Sequence, residues 1–164
     1  MLPSEKMKRG VTEVSSSHLI GYFDCVSFAV FRSGVSLEGL HALDKAHLGV
    51  TELVPKACTI VVAEGGLQLP SHAVRVESAR LMQLRASVQL CSCTVIEGGG
   101  FVSAATRGVL TAIQLLSFHA YPLHAASTLH QASTWTAKQA GRGQTWATDL
   151  AGFIDGSRKA AATG

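Results

Sequence analysis

Charge is what this chain has least of. Asp, Glu, Lys and Arg make up 15% of its 164 residues, against about 25% in an ordinary soluble domain. The net charge of +3 is weak, and apart from Lys6-Met7-Lys8-Arg9 the basic residues are spread along the chain. A nucleic-acid binder needs a clustered basic face with interleaved aromatics. That face is missing and aromatics are only 6%, so nucleic acid is not an expected partner. Long apolar runs are missing as well. The longest, Phe101 to Leu116, is broken by Arg107 and falls short of the roughly 20 residues that span a bilayer. Met1 to Ser17 is polar and charged, without the apolar core of a secretory leader. These absences lead to an expectation of a cytoplasmic protein with no membrane insertion.

Catalytic and metal signatures are also absent. Gly98-Gly99-Gly100 has neither the Gly-x-Gly-x-x-Gly spacing of a dinucleotide site nor the Lys-Ser/Thr of a P-loop, and it reads as a tight turn. Cys25, Cys58, Cys91 and Cys93 are the only cysteines. They sit among apolar residues, where free thiols are usually buried. Cys91 and Cys93 are two apart and point to one face of a strand, but no second pair or His doublet completes a zinc set. The seven histidines are scattered, and none has a Ser, Cys or Asp partner at a family spacing. By default they are surface or half-buried groups. No catalytic residue, cofactor or metal site is assigned.

What is present is a run of regular elements. Residues 1–17 read as a flexible tail. His18 to Tyr22 and Cys25-Val-Ser-Phe-Ala-Val-Phe-Arg32 read as strands, the second rich in β-branched and aromatic residues. Ser36 is placed to cap a helix, whose stripe Leu37, Leu40, Leu43, His47 and Val50 follows helical spacing. Ala57 to Glu64 is a continuous apolar run, as expected of a strand buried on both faces. A helix over 70–87 follows, with Val74, Leu81, Leu84 and Val88 inward and Arg75, Arg80 and Arg85 toward solvent. A strand over 89–97, an apolar helix over 101–116, a short strand over 123–127 and a helix over 128–138 complete the domain, 18–139. The extension 140–164 carries a short amphipathic piece, with Trp146, Leu150, Phe153 and Ile154 on one face, ahead of a disordered end. That face is expected either to dock on the domain or to form dimer contacts. Alternating strands and helices call for right-handed crossovers in an α/β domain. The expected sheet is mixed but mostly parallel, of about five strands, with helices covering mainly one face.

Four segments carry a likeness. They are Val95-Ile96-Glu97-Gly98-Gly99-Gly100-Phe101, then Ala104-Ala105-Thr106-Arg107-Gly108-Val109-Leu110-Thr111, then Tyr121-Pro122, and last Ser127 to Trp135 with Leu129, Ala132 and Trp135 in helical register. With the element order, they give a chain that resembles the STAS-like proteins, the fold of bacterial anti-sigma-factor antagonists, and in particular small bacterial members of undefined function. The resemblance covers about residues 18–139. It implies a non-enzymatic, regulatory protein–protein interaction module, with a kinase or an anti-sigma-like factor as partner and a homodimer as a further possibility. It also implies a phosphorylated serine at the start of the helix after the central strand. In this chain that junction is Glu64 to Ser71. The family's Asp-Ser does not follow the strand directly, and Ser71 is the nearest hydroxyl. Ser71 is the phosphosite candidate, with Gly65, Gly66, Leu67, Leu69, Pro70, Ser71, His72 and Arg75 as the interaction surface.

Two other readings remain open. Small residues Ala104, Ala105 and Gly108 on an apolar helix leave either close packing or a cavity, which suits a protein that binds a small apolar ligand or a lipid. An enzyme of unknown class would draw on Glu64, Glu97, His72 and Arg107, near strand ends where α/β sites form.

Overall fold

The computed structural model describes residues 8–65, 69–98, 104, 107, 108, 111 and 121–164. Among them six strands and four helices have defined bounds: β1 (Arg9–Val14), β2 (His18–Phe23), β3 (Val26–Phe31), α1 (Leu37–Thr51), β4 (Ala57–Ala63), α2 (His72–Arg85), β5 (Gln89–Ile96), β6 (Leu123–Ala126), α3 (Leu129–Gln139) and α4 (Gln144–Ala162). The chain is an α/β protein built on one six-stranded sheet in the order β1-β2-β3-β4-β5-β6. The β1–β2 and β2–β3 pairings are antiparallel, and β3–β4, β4–β5 and β5–β6 are parallel. The sheet is therefore mixed rather than mostly parallel, and it has six strands where about five were expected.

The extra strand lies in the expected flexible tail. Arg9–Val14 pairs with β2 through a bulge between Val11 and Glu13. This strand is exposed along nearly its whole length, so it shows no alternation by which a strand is recognised. Its partner's backbone holds it. A tight turn joins β2 to β3. Asp24 occupies it with φ 51°, a left-handed conformation that Asp tolerates better than most residues. Its carboxylate accepts from Trp146 Nε1 at 2.9 Å and pairs with Arg142 at 3.1 Å.

Helices cover both faces, not mainly one. Right-handed crossovers that step the same way across a sheet put their helices on the same side. Accordingly α1 packs on β2, β3 and β4 and touches α2. On the other side α3 packs on β5, β6 and α4, and α4 reaches β2. Alternation along the strands serves both layers: Cys58, Ile60 and Val62 of β4 join the core under α3 and α4, while Ala63 and the half-buried Val61 belong to the α1 side. All four cysteines are buried free thiols, and they sit in the core under α3 and α4.

The C-terminal extension is longer and more ordered than expected. Helix α4 runs to Ala162 without a break, through the segment expected to be disordered. Trp146, Leu150 and Ile154, candidate dimer contacts, are buried in the domain's own core. Phe153 lies tilted against Phe23 and edge-on to Phe28, with ring centroids 5.9 Å apart in each pair. The amphipathic face packs within the chain, as core of its own domain. Among the described residues, no helix is long and apolar enough to cross a membrane. The apolar segment 101–116 lies mostly outside the described residues. Ala104, Arg107, Gly108 and Thr111 within it are helical, and Ala105 lies outside them.

Candidate functional site

Helix α1 starts where Ser36 accepts a hydrogen bond from the Gly39 N–H at 3.0 Å. Gly39, Leu43, His47 and Val50 form its buried stripe. His47 was expected to be a surface or half-buried group by default, yet it is 3% exposed. Leu37, placed on the stripe, is exposed, because Gly39 takes its position against Phe31 and His18. Helix α2 lies beside α1, and the two are joined by an ion pair and a hydrogen bond. Arg85 Nε and Nη2 donate to both Asp44 oxygens at 2.7 and 2.8 Å, and His41 Nε2 meets Glu77 at 2.8 Å. Arg85 is therefore paired and not simply directed to solvent. The buried face of α2 is rotated from the expected one: Val74 is buried, but Leu84 is 52% exposed.

Between α1, α2 and strands β3 to β6 lies a cavity of about 180 Å³. A single water needs roughly 10–15 Å³ on this measure, so the space holds an organic molecule of modest size. Most of the wall is apolar, with Leu40, Leu43, Val61, Val74, Leu81 and Met82 around it. One end of the wall is polar. His47 Nδ1 lies 3.1 Å from Ser27 Oγ and 3.3 Å from Thr59 Oγ1. Gln89 Nε2 donates to Thr59 Oγ1 at 3.0 Å and to the Cys91 carbonyl at 2.6 Å. Ser27 Oγ also reaches the Cys58 carbonyl at 3.3 Å. Every member of this chain is satisfied except one atom: His47 Nε2 is buried with no hydrogen-bond partner.

Burial pushes the His47 pKa below its usual value; the carboxylate of Asp44 opposes that shift and Arg85 adds to it. The imidazole is neutral at pH 7, with one ring nitrogen held by the sheet. Tyr121, also on the wall, is pushed up to about 12 by burial and keeps its proton. Among the described residues, Asp44 and Arg85 line the cavity as a mutually paired carboxylate and guanidinium. The site is a mainly apolar space with a polar end. An apolar pocket with a few polar groups and a perturbed titratable group is the default place to look for a binding site.

Of the site residues singled out in the sequence, Pro70 lines the cavity and the other described ones fall elsewhere. Ser71 is the N-cap of α2, and its side chain accepts from the Val74 N–H at 3.3 Å. Arg75 Nη1 donates to the Pro70 carbonyl at 2.8 Å, which closes the same turn. Leu69 and His72 are exposed, and so is Gly65, at the end of β4. Gly66 and Leu67 lie outside the described residues. Glu64 and Glu97 follow β4 and β5 and stand side by side, but Arg158 of α4 clamps them. Its Nη2 is 3.1 Å from Glu64 Oε1 and 2.7 Å from Glu97 Oε2. Both carboxylates are thus spent on holding α4. Arg107 is exposed and donates to Ser127 Oγ at 3.3 Å. The structure does not bring Glu64, Glu97, His72 and Arg107 together into one site.

Sequence reasoning missed the polar chain because its members are 12 to 32 residues apart. One signal was available. His47 occupies a position on the apolar stripe of α1, and a polar residue there must find a partner inside. Compared with family models, with curated proteins and with solved structures, the chain matches none.

Proposed function

We propose that this protein binds a small, uncharged, mainly apolar molecule in the cavity between α1, α2 and the sheet. The observation that carries this reading is an apolar cavity whose wall includes the hydrogen-bonded polar group His47, Thr59 and Gln89. The balanced Asp44–Arg85 pair and the neutral imidazole offer no net charge to an ionic ligand. Freshly purified protein is expected to carry a non-covalent mass adduct in native mass spectrometry, lost after extraction with organic solvent. Ser78→Phe, which places a ring on the cavity wall, is expected to remove the adduct while leaving the fold intact. A bare mass in the wild type, with no gain in Tm across a panel of small apolar compounds, would overturn the reading.

A second reading is a regulatory protein–protein interaction through the outer side of α2. It rests on exposed apolar residues there. Leu69, just before the Ser71 cap, and Val76 of α2 are each 50% exposed, and Leu84 of α2 is 52% exposed. Exposed apolar residues gathered in a patch mark partner sites. Asp also caps helices well, so Ser71→Asp keeps the fold and adds the charge of a phosphoserine mimic. It is expected to weaken capture of a kinase or anti-sigma-like partner. Unchanged capture removes Ser71 from this account.

A further inference from the structure

The core under α3 and α4 holds all four cysteines, and three of their thiols meet. Cys58 and Cys91 are partners in the parallel register of β4 and β5. Cys25 sits in the turn before β3, and its carbonyl accepts from the Cys58 N–H at 2.8 Å. The Cys58 thiol is hydrogen-bonded to the thiols of both Cys25 and Cys91. Thr59 and Ser92, the next residues along β4 and β5, line the cavity on the other face. Alternation therefore puts the thiols in a layer separate from the proposed binding site.

The three thiols are not equivalent. Cys58 and Cys91 are fully buried, whereas Cys25 keeps 7% exposure at the β2–β3 turn. Its neighbour Asp24 pairs there with Arg142. The thiolate, not the thiol, is the nucleophile. The hydrogen bond from Cys58 holds the Cys25 pKa below its usual value, and Arg142 adds to this against burial and Asp24. Cys58 is pushed the other way, by the hydrogen bonds it donates to Cys25 and Cys91 and by burial. Cys93 is pushed up to about 12 by burial and by Cys91. Access and proton affinity thus favour one sulfur, that of Cys25. Neighbouring strands lie about 4.8 Å apart and rise about 3.3 Å per residue. The Cα atoms of Cys25 and Cys58, one step out of register, are therefore about 5–6 Å apart, within the span of a disulfide.

We propose that Cys25 is a site of reversible oxidation by a hydroperoxide, with Cys58 as the thiol that resolves it. The Cys25 thiolate attacks one oxygen of the peroxide. The O–O bond breaks, the leaving oxygen takes up a proton, and Cys25 becomes a sulfenic acid. The Cys58 sulfur then attacks Cys25 Sγ. The S–O bond breaks, and hydroxide leaves with the Cys58 proton as water. The two thiols give up two electrons and two protons, and hydrogen peroxide is reduced to two waters.

The test treats the full chain with limiting hydrogen peroxide at neutral pH and then denatures it in an alkylating reagent. Intact mass and a peptide map without reduction are the readouts. The expected result is a loss of two hydrogen masses, a linked pair of Cys25 and Cys58 peptides, and full reversal by a dithiol reductant. Cys58→Ala is expected to stop the sequence at the sulfenic acid, trapped on Cys25 by a cyclic diketone. Cys25→Ser is expected to abolish the mass loss. The wild-type map stands if either variant does not fold. Alkylation of all four cysteines after native treatment overturns the proposal, as does a Cys58–Cys91 bond with Cys25 free. Oxidation that occurs only in denatured protein does the same and leaves the thiols as packing groups.

Discussion

His47 shows how one buried polar residue can make stability depend on pH. Its ring is buried and neutral, so protonation in acid must either disrupt the contacts to Ser27 and Thr59 or draw water in. The sign follows from the direction of the shift. The folded pKa is lowered, so the unfolded chain binds more protons below the usual value near 6.5. The full contribution of His47 is present above that value and is lost as pH falls through the lowered folded pKa, with a slope of up to about 1.4 kcal/mol per pH unit. Urea unfolding across this range should show that loss, and His47→Leu should flatten it if the variant folds. Gly39 is a second residue whose identity is dictated by its neighbours. A Cβ there would stand 2.5 Å from Phe31 Cε1, 3.2 Å from Ser36 Oγ and 3.3 Å from His18 Nδ1. Gly39→Ala is expected to cost about 1–3 kcal/mol by overpacking, visible as a lowered urea midpoint with an unchanged slope.

At the scale of elements, caps and clamps determine where helices stop and where they lie. Ser36, Ser71 and Thr128 each accept a backbone N–H three residues on. Thr128→Ala is expected to cost about 1 kcal/mol, measured by chemical denaturation. Helix α4 has no side-chain cap at Gly143. It is held instead by its buried stripe and by Arg158 on Glu64 and Glu97. Arg158→Ala leaves two half-buried carboxylates facing one another without a cation. A loss of about 2 kcal/mol is expected, together with faster amide exchange in the last turns of α4. Restoring the charge as Arg158→Lys should recover only part, since Lys cannot bridge both carboxylates as a planar fork does. The element pattern was readable wherever one face repeats. The stripe of α1 and the apolar run of β4 were clear. Strand β1 was not, because an exposed edge strand carries no apolar alternation. Nor was the end of α4, where Gly152 and Gly156 interrupt the pattern, although the backbone continues as helix.

For the whole molecule, the two helical layers have different tasks. Under α3 and α4 lies the larger core, with Phe23, Phe28, Leu150 and Ile154 fully or nearly fully buried. Among the described residues the core under α1 is smaller, and the cavity lies between α1, α2 and the sheet. Deleting 144–164 is therefore expected to unfold the domain, because it uncovers the sheet's main apolar face. Loss of a cooperative thermal transition on calorimetry would show it, and a folded truncated domain would contradict this division. Leu150→Ala is a milder form of the same test, with an expected cost of about 2–5 kcal/mol. Filling the cavity by Ser78→Phe acts on the other layer and is expected to change ligand binding far more than stability.

The sequence by itself determined the α/β class, the positions of most strands and helices, the cap at Ser36, and the presence of His47 on an apolar stripe. These are local properties, set by side-chain periodicity and by backbone groups a few residues apart. Only the tertiary structure decided that helices cover both faces, that Arg9–Val14 joins the sheet, and that Trp146, Leu150 and Ile154 are core. Only the tertiary structure brought Asp44 to Arg85, Arg158 to Glu64 and Glu97, and Ser27, Thr59 and Gln89 to His47. Those pairings join residues from 12 to 94 positions apart. No local pattern encodes them, because they form only when crossovers stack the strands and bring the helices together.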